Sequence, residues 1–153
     1  MNATSTDRIE KQMLLRAPRA RVWRAIANAE EFGAWFGVKV EGIFAPGVCA
    51  HGKITHKGYE HLRWEITIEK LEPERILSFR WHTAAIEPGV DYSGEPTTLV
   101  VFKLEEVAEG TMLTVVESGF DQIPLARRAN AYRLNDQGWA AQMKAIEQYV
   151  ARG

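Results

Sequence analysis

The stretch that decides the fold is the last long one, residues 125–150, which read LARRANAYRLNDQGWAAQMKAIEQYV. Its apolar residues recur at intervals of three and four, which is the period of one face of a helix about seven turns long. The stripe consists of Leu125, Ala129, Tyr132, Asp136, Trp139, Met143, Ile146 and Val150. We therefore expect a long C-terminal helix that buries Trp139 and Met143.

Upstream of this helix, short segments alternate between apolar and polar residues, which is the period of a strand with one buried face. In the best example, residues 62–69, Leu62, Trp64 and Ile66 alternate with charged or polar neighbours. Short turns between such strands predict antiparallel pairing. The expected strands are 9–16, 48–55, 62–69, 77–82, 99–106 and 112–118, and the expected short helices are 19–28 and 29–36, the second one capped by Asn28.

A sheet with one apolar face and a helix with one apolar stripe can bury those surfaces only against each other. The predicted fold class is therefore α+β, with a curved antiparallel sheet of six or seven strands wrapped around the C-terminal helix. No repeat, low-complexity tract or linker divides the 153 residues. We expect one domain over residues 1–153.

Five sequence segments together resemble a known superfamily. They are APRARVW at 17–23, FRW at 79–81, ESGF at 117–120, AYRLN at 131–135 and the pair Gly138-Trp139. The pattern resembles the START-like (SRPBCC) superfamily, in the branch of homologues of a heat-shock-protein ATPase activator, and the Asn-x-x-Gly-Trp step is its most specific piece. The resemblance implies a helix-grip fold whose elongated cavity, between sheet and helix, holds lipids, polyketides, hormones or other apolar small molecules. A minority of members catalyse cyclisation or dehydration there.

Aromatic residues supply the candidate lining of such a cavity. Trp81, Tyr132 and Trp139 are the strongest candidates, because wide aromatic rings leave gaps and their polar atoms need partners. Trp64 and Phe102 are expected to be simple core residues. The full candidate ligand-binding set is Trp81, Tyr132, Asp136, Trp139, Met143, Phe79 and Arg80.

Asp136 is the one charged residue in the helix stripe, and a buried carboxylate is costly unless it is paired. It is either a polar anchor or catalytic acid in the cavity, or a structural ion pair with Arg80 or Arg63, or an exposed group at the cavity mouth. Gly138 also stands out, because glycine inside a helix costs about 1 kcal/mol relative to alanine. It marks either the close approach of a ligand, or a bend or packing contact of the helix.

Composition excludes several classes of function. The formal net charge is −1, the pI is near 6.4 and no basic block is present, so we expect no nucleic-acid partner. No apolar run is long enough to span a membrane. Residues 1–7 are polar, unlike a signal peptide, so the expected location is cytoplasmic. The long irregular segment 83–96 is a candidate lid or subunit contact, or else a plain surface loop.

Three functions compete. The leading interpretation is a protein that binds a small apolar or aromatic molecule, lipid-like or polyketide-like, between sheet and helix. The second is a cyclase or dehydratase that uses Asp136 with Arg80 or a histidine. The third is a chaperone-interacting module, as the resemblance implies, and a second helix face with Leu134, Ala141 and Ala145 leaves a homodimer open.

We predict no redox cofactor and no tightly bound metal. The single cysteine, Cys49, cannot hold an iron–sulfur cluster, and no phosphate-binding glycine turn occurs. The histidines lack the spacing of a metal site; they are His51, His56, His61 and His82. Elemental analysis of the pure protein should find no stoichiometric zinc or iron, and a visible absorption band would contradict the prediction.

Overall fold

The computed structural model describes residues 7–60, 62–85 and 90–151. A seven-stranded antiparallel sheet holds one long C-terminal helix, and two short helices follow the first strand. The strands are β1 (Arg8–Leu15), β2 (Val38–Glu41), β3 (Cys49–Ile54), β4 (Arg63–Glu72), β5 (Ile76–Trp81), β6 (Thr98–Val107) and β7 (Gly110–Ser118), and the helices are α1 (Arg19–Ala27), α2 (Ala29–Phe36) and α3 (Leu125–Ala151). The α+β, helix-grip fold class is thereby confirmed.

The strands lie in the order β1-β7-β6-β5-β4-β3-β2, so β1 and β2 form the two edges. The edge strand β2 was not among the strands predicted from the sequence. Its four residues are too few to show an alternating pattern, and only its pairing with β3, from Val38 opposite Ile54 to Glu41 opposite His51, makes it a strand.

The concave face of the sheet carries the core. In β4, Trp64, Ile66 and Ile68 are buried while their neighbours are exposed, as the alternation predicted. Phe102, the other expected core aromatic, is also buried. The ring of Phe32 in α2 lies at the centre of the aromatic cluster; its neighbours include Trp35, Phe36, Phe44, Trp64 and Phe102.

Helix α3 confirms half of the predicted stripe. Its C-terminal half buries Trp139, Met143, Ile146 and Val150 as expected. The N-terminal half does not follow the stripe, because Leu125 is 79% exposed and Ala131 is buried instead. Of the helices in the described residues, none, α3 included, has an apolar stretch that could cross a membrane.

A partly buried cluster of hydrogen-bonded side chains joins the three helices at the C-terminal end of α3. The Glu31 carboxylate in α2 accepts hydrogen bonds from Arg21 and Arg24 of α1, at 2.9 and 2.8 Å, and from the Tyr149 hydroxyl of α3 at 3.0 Å. Burial raises the pKa of the Glu31 carboxyl, but the hydrogen bonds from Tyr149 and Arg21 and the charges of Arg21 and Arg24 together outweigh it and hold that pKa below its ordinary value. Asn28 caps α2 as predicted, accepting from the backbone N–H of Glu31.

Two helical glycines give opposite predictions for the same substitution. A Cβ at Gly33 would lie 2.2 Å from the carbonyl oxygen of Val38, so Gly33→Ala should lower the free energy of unfolding by about 1–3 kcal/mol through overpacking. A Cβ at Gly138 would have no neighbour within 4 Å, so Gly138→Ala should raise it by up to about 1 kcal/mol. Urea unfolding of both variants checks the pair; equal effects of the two would contradict the described environments.

Candidate functional site

An open cleft of about 160 Å³ lies where the C-terminal end of α2, the end of β5 and the middle of α3 meet. Its lining consists of Phe36, Trp81, Asn135, Gly138, Trp139 and Gln142. The indoles of Trp81 and Trp139 are stacked, with centroids 5.8 Å apart and planes inclined at 30°. Phe36 lies against both, at 6.1 and 6.2 Å. Three aromatic rings therefore converge on a space that no side chain fills.

The orientation of the two indoles is set by Glu117 of β7, which is fully buried. Its carboxylate accepts from Trp139 Nε1 at 2.8 Å and from Trp81 Nε1 at 2.9 Å. It also accepts from Asn135 Nδ2 at 2.8 Å and from Thr98 Oγ1 at 2.6 Å. Each carboxylate oxygen thus has two donors, and the described residues place no Lys, Arg or His within 4 Å of it. The charge is stabilised by neutral donors alone.

Strand register and helical spacing bring these donors together. Trp81 is opposite Thr98 in the β5–β6 pair, and Val100, two residues further along β6, is opposite Glu117 in β7. Three neighbouring strands therefore contribute one polar group each to the same corner of the concave face. Asn135 and Trp139 are four residues apart on α3, so both point at that corner from above.

Gly138 opens the cleft on the helix side. Because a Cβ there would meet nothing within 4 Å, Gly138 is not required for close packing within the chain, and a subunit contact on this helix stays a prediction. One turn later, Gln142 Nε2 donates to the backbone carbonyl of Phe36 at 2.9 Å and fixes the end of α2 against α3. The side-chain oxygens of Asn135 and Gln142 have no protein partner among the described residues.

The described part of segment 83–96 is tied to α3 beside the cleft. Asn135 Nδ2 donates to the hydroxyl of Thr83, which is fully buried. Arg127 donates to the Thr83 carbonyl at 2.9 Å and to both oxygens of Glu95, and its guanidinium lies 4.8 Å from the Tyr92 ring centroid. Residues 86–89 of the segment lie outside the described residues, and its role as a lid or subunit contact stays a prediction.

Among the residues predicted from the sequence to bind a ligand, Trp81 and Trp139 line the cleft. Phe79 and Met143 are buried core residues beneath it. Tyr132 lies elsewhere, because its hydroxyl donates to the backbone carbonyl of Arg8 at 2.8 Å and its ring packs against Phe120.

The inward orientation predicted for Asp136 is wrong. Asp136 forms an ion pair with Lys11 of β1 at 2.9 Å, and its side chain is 44% exposed. The alternative of an ion pair holds, but with a different partner from those predicted. Arg80 pairs on the exposed surface with Glu69 at 2.8 Å, and Arg63 lies 3.8 Å from Glu65. The acid–base pair of Asp136 with Arg80 is therefore not assembled.

Metal and thiol chemistry gain no support from the described residues, which contain no cluster of three or more His, Cys, Asp or Glu able to hold a metal ion. His82 Nε2 lies 3.1 Å from the Glu95 carbonyl, and His61 lies outside the described residues. Desolvation and the neighbouring Glu65 raise the pKa of the Cys49 thiol, which lowers its thiolate fraction.

The residues missed at the sequence level are chiefly Glu117, Asn135 and Gln142. A signal for Glu117 exists, since it shares the parity of the buried Leu113 and Val115 in β7. Met112 and Val116 on the other parity are also apolar, however, so alternation alone does not show which face is buried. Asn135 is the asparagine of the Asn-x-x-Gly-Trp step, but it was not predicted to lie in the site because its amide side chain is not part of an apolar stripe.

Two substitutions that each remove one carboxylate charge should differ strongly in effect. Glu117→Gln leaves at least one indole N–H facing an amide N–H₂, so we expect a loss of about 1–3 kcal/mol in the free energy of unfolding. Asp136→Asn breaks only a part-exposed ion pair, which is worth less than about 1 kcal/mol. Thermal and urea unfolding of both variants provide the measurement, and a larger loss for Asp136→Asn would contradict the assignment.

Solved structures of several other proteins share this architecture. Protein MLL2253 from Mesorhizobium loti is 22% identical, with a TM-score of 0.75 over 95% of this chain and 97% of that chain. Protein NE0264 from Nitrosomonas europaea is 16% identical, with a TM-score of 0.75 over 99% of both chains. A protein from Arthrobacter aurescens, solved by NMR, is 16% identical with a TM-score of 0.80 over 99% of this chain and 91% of that chain. At these identities the likeness shows the fold alone.

The search of curated proteins gives no match. The family model described as "Activator of Hsp90 ATPase homolog 1-like protein" matches residues 16–151, which is nearly the whole chain. The chain therefore belongs to the family of Activator of Hsp90 ATPase homolog 1-like proteins, within the START-like superfamily whose resemblance its motifs carry.

Proposed function

We propose that this protein binds one small, largely apolar molecule in the cleft between α2, the end of β5 and α3. The observation that supports this most is the convergence of Phe36, Trp81 and Trp139 on a space left open by Gly138. Apolar and aromatic walls with a few fixed polar groups are the usual character of small-molecule sites.

The volume limits the size of the molecule. A cavity of about 150 Å³ is enough to hold benzene, whereas pockets for drug-sized ligands run to about 300–1,000 Å³. A cleft of about 160 Å³ therefore suits a single ring or a small branched group. A lipid-like or polyketide-like molecule, as the superfamily resemblance implies, would have to extend beyond it or displace α3.

Binding is favoured over catalysis because none of the six lining residues is titratable. The nearest carboxylate, Glu117, lies behind the indoles with all four hydrogen bonds made to protein donors. An acid–base mechanism needs a group within hydrogen-bond reach of the substrate proton. The described arrangement offers rings and amide oxygens to a ligand instead.

Benzyl alcohol is a suitable probe, because it combines one ring with one donor for the free oxygen of Asn135 or Gln142. Titration of ¹⁵N-labelled protein should give saturable shifts of the Trp81 and Trp139 indole N–H resonances. Gly138→Leu places a side chain in the cleft and should weaken binding about ten-fold or more, a loss of about 1.4 kcal/mol.

Ala141→Leu is the matched control, because it adds the same side chain to the same helix at an exposed position. It should leave the titration unchanged. If wild type gives no saturable shift, or if both leucine variants weaken binding equally, cleft binding is wrong. The chaperone-interacting module then becomes the leading interpretation.

A further inference from the structure

We propose that the cleft selects a small alkylated ammonium ion over neutral or anionic molecules of the same shape. This rests on the proposed function and names the chemical class of its ligand. Three features of the described residues support it: a buried charge without a counter-ion, aromatic walls whose N–H groups are all used, and free amide groups that offer more acceptors than donors.

The buried charge is that of Glu117, which lies one hydrogen bond behind three lining residues, Trp81, Asn135 and Trp139. Among the described residues no Lys, Arg or His forms an ion pair with Glu117; of the cations that contact α3 or lie on it, Arg127 pairs with Glu95 and Lys11 with Asp136. Opposite charges attract far more strongly in a protein interior than in water. A cation in the cleft would sit one side-chain layer from a carboxylate that no protein cation neutralises.

The two indoles can offer a ligand only ring surface, because their N–H groups are used. Both Nε1–H groups donate to Glu117, so neither indole can donate to a ligand in the cleft. The face of an aromatic ring is the negative end of its quadrupole, and tryptophan gives the strongest cation–π attraction of the aromatic residues. Hydrogen bonding of both N–H groups to an anion polarises the rings in the direction that strengthens this attraction.

The free side-chain hydrogen-bonding groups of the cleft include more acceptor than donor capacity. Asn135 Nδ2 is bound to Thr83 and Glu117, and Gln142 Nε2 is bound to the Phe36 carbonyl. The amide oxygens of these two residues and the second N–H of Gln142 remain for a ligand, and no Lys, Arg or His lines the cleft. An anion would find one amide N–H and no cationic side chain there, whereas a cation would find two amide oxygens.

Three soluble molecules of one shape test the charge directly. Choline carries a trimethylammonium group, 3,3-dimethylbutan-1-ol replaces its nitrogen by carbon, and 3,3-dimethylbutanoate carries a negative charge. We expect choline to bind about ten-fold more tightly than the neutral alcohol, as a cation–π site with a partly desolvated charge predicts. The butanoate should give no saturable shift of the Trp81 and Trp139 indole resonances at the same ionic strength.

Glu117→Gln should reduce the preference for choline over the alcohol at least three-fold, whereas Asp136→Asn removes the same charge at the surface and should not change it. The comparison within wild type stands even if Glu117→Gln does not fold. Equal binding of choline and the alcohol, or tighter binding of the butanoate, overturns the charge preference. If benzyl alcohol still binds in that case, only the ligand class is wrong; if no probe shifts the indoles, the cleft proposal fails with it.

Discussion

A carboxylate sealed from water must find donors in the protein, and the Glu117 carboxylate finds four. Two come from the ends of neighbouring strands and two from α3, so the interaction fixes the helix to the sheet in position and in rotation. Trp81 and Trp139 are stacked because both donate a hydrogen bond to the same carboxylate. Without that anion, the polar contacts described between α3 and the sheet would be those with the edge strand β1, the Lys11–Asp136 ion pair and the Tyr132–Arg8 hydrogen bond, which leave the middle of the sheet without a polar tie to the helix.

The fold could be predicted from periodicity because most of its elements bury one face against a single core. The prediction failed where the partner is polar. In the N-terminal half of α3, the helix faces Thr83 and Glu117, so the inward residue is Asn135. The three- and four-residue spacing of the apolar stripe instead selects the neighbouring residue, Asp136, which lies on the surface side. The stripe holds from Trp139 onward, since Met143, Ile146 and Val150 are buried as predicted.

Sequence patterns could not predict strand β2, nor which face of β7 is buried, and the reasons differ. The four residues of β2 owe their strand form to β3, which is information about a partner and not about the segment itself. In β7 both faces are partly apolar, since Met112 and Val116 oppose Leu113 and Val115. Which face meets the helix is decided by the whole sheet, so a glutamate on the inner face has no local signature. Trp81 and Trp139 of the cleft were nevertheless predicted, because the alternation in β5 and the stripe of α3 place them on the two apolar faces that pack together.

The empty space around Gly138 has a consequence for how this chain can vary. At most positions of a packed protein, a substitution that lowers stability also lowers activity. At residue 138 they are separated, because most residues favour a helix more than glycine does and a Cβ there meets no atom within 4 Å. A population of variants selected only for folding would drift away from glycine there, so retention of glycine under natural selection would report on the occupant of the cleft and not on the fold.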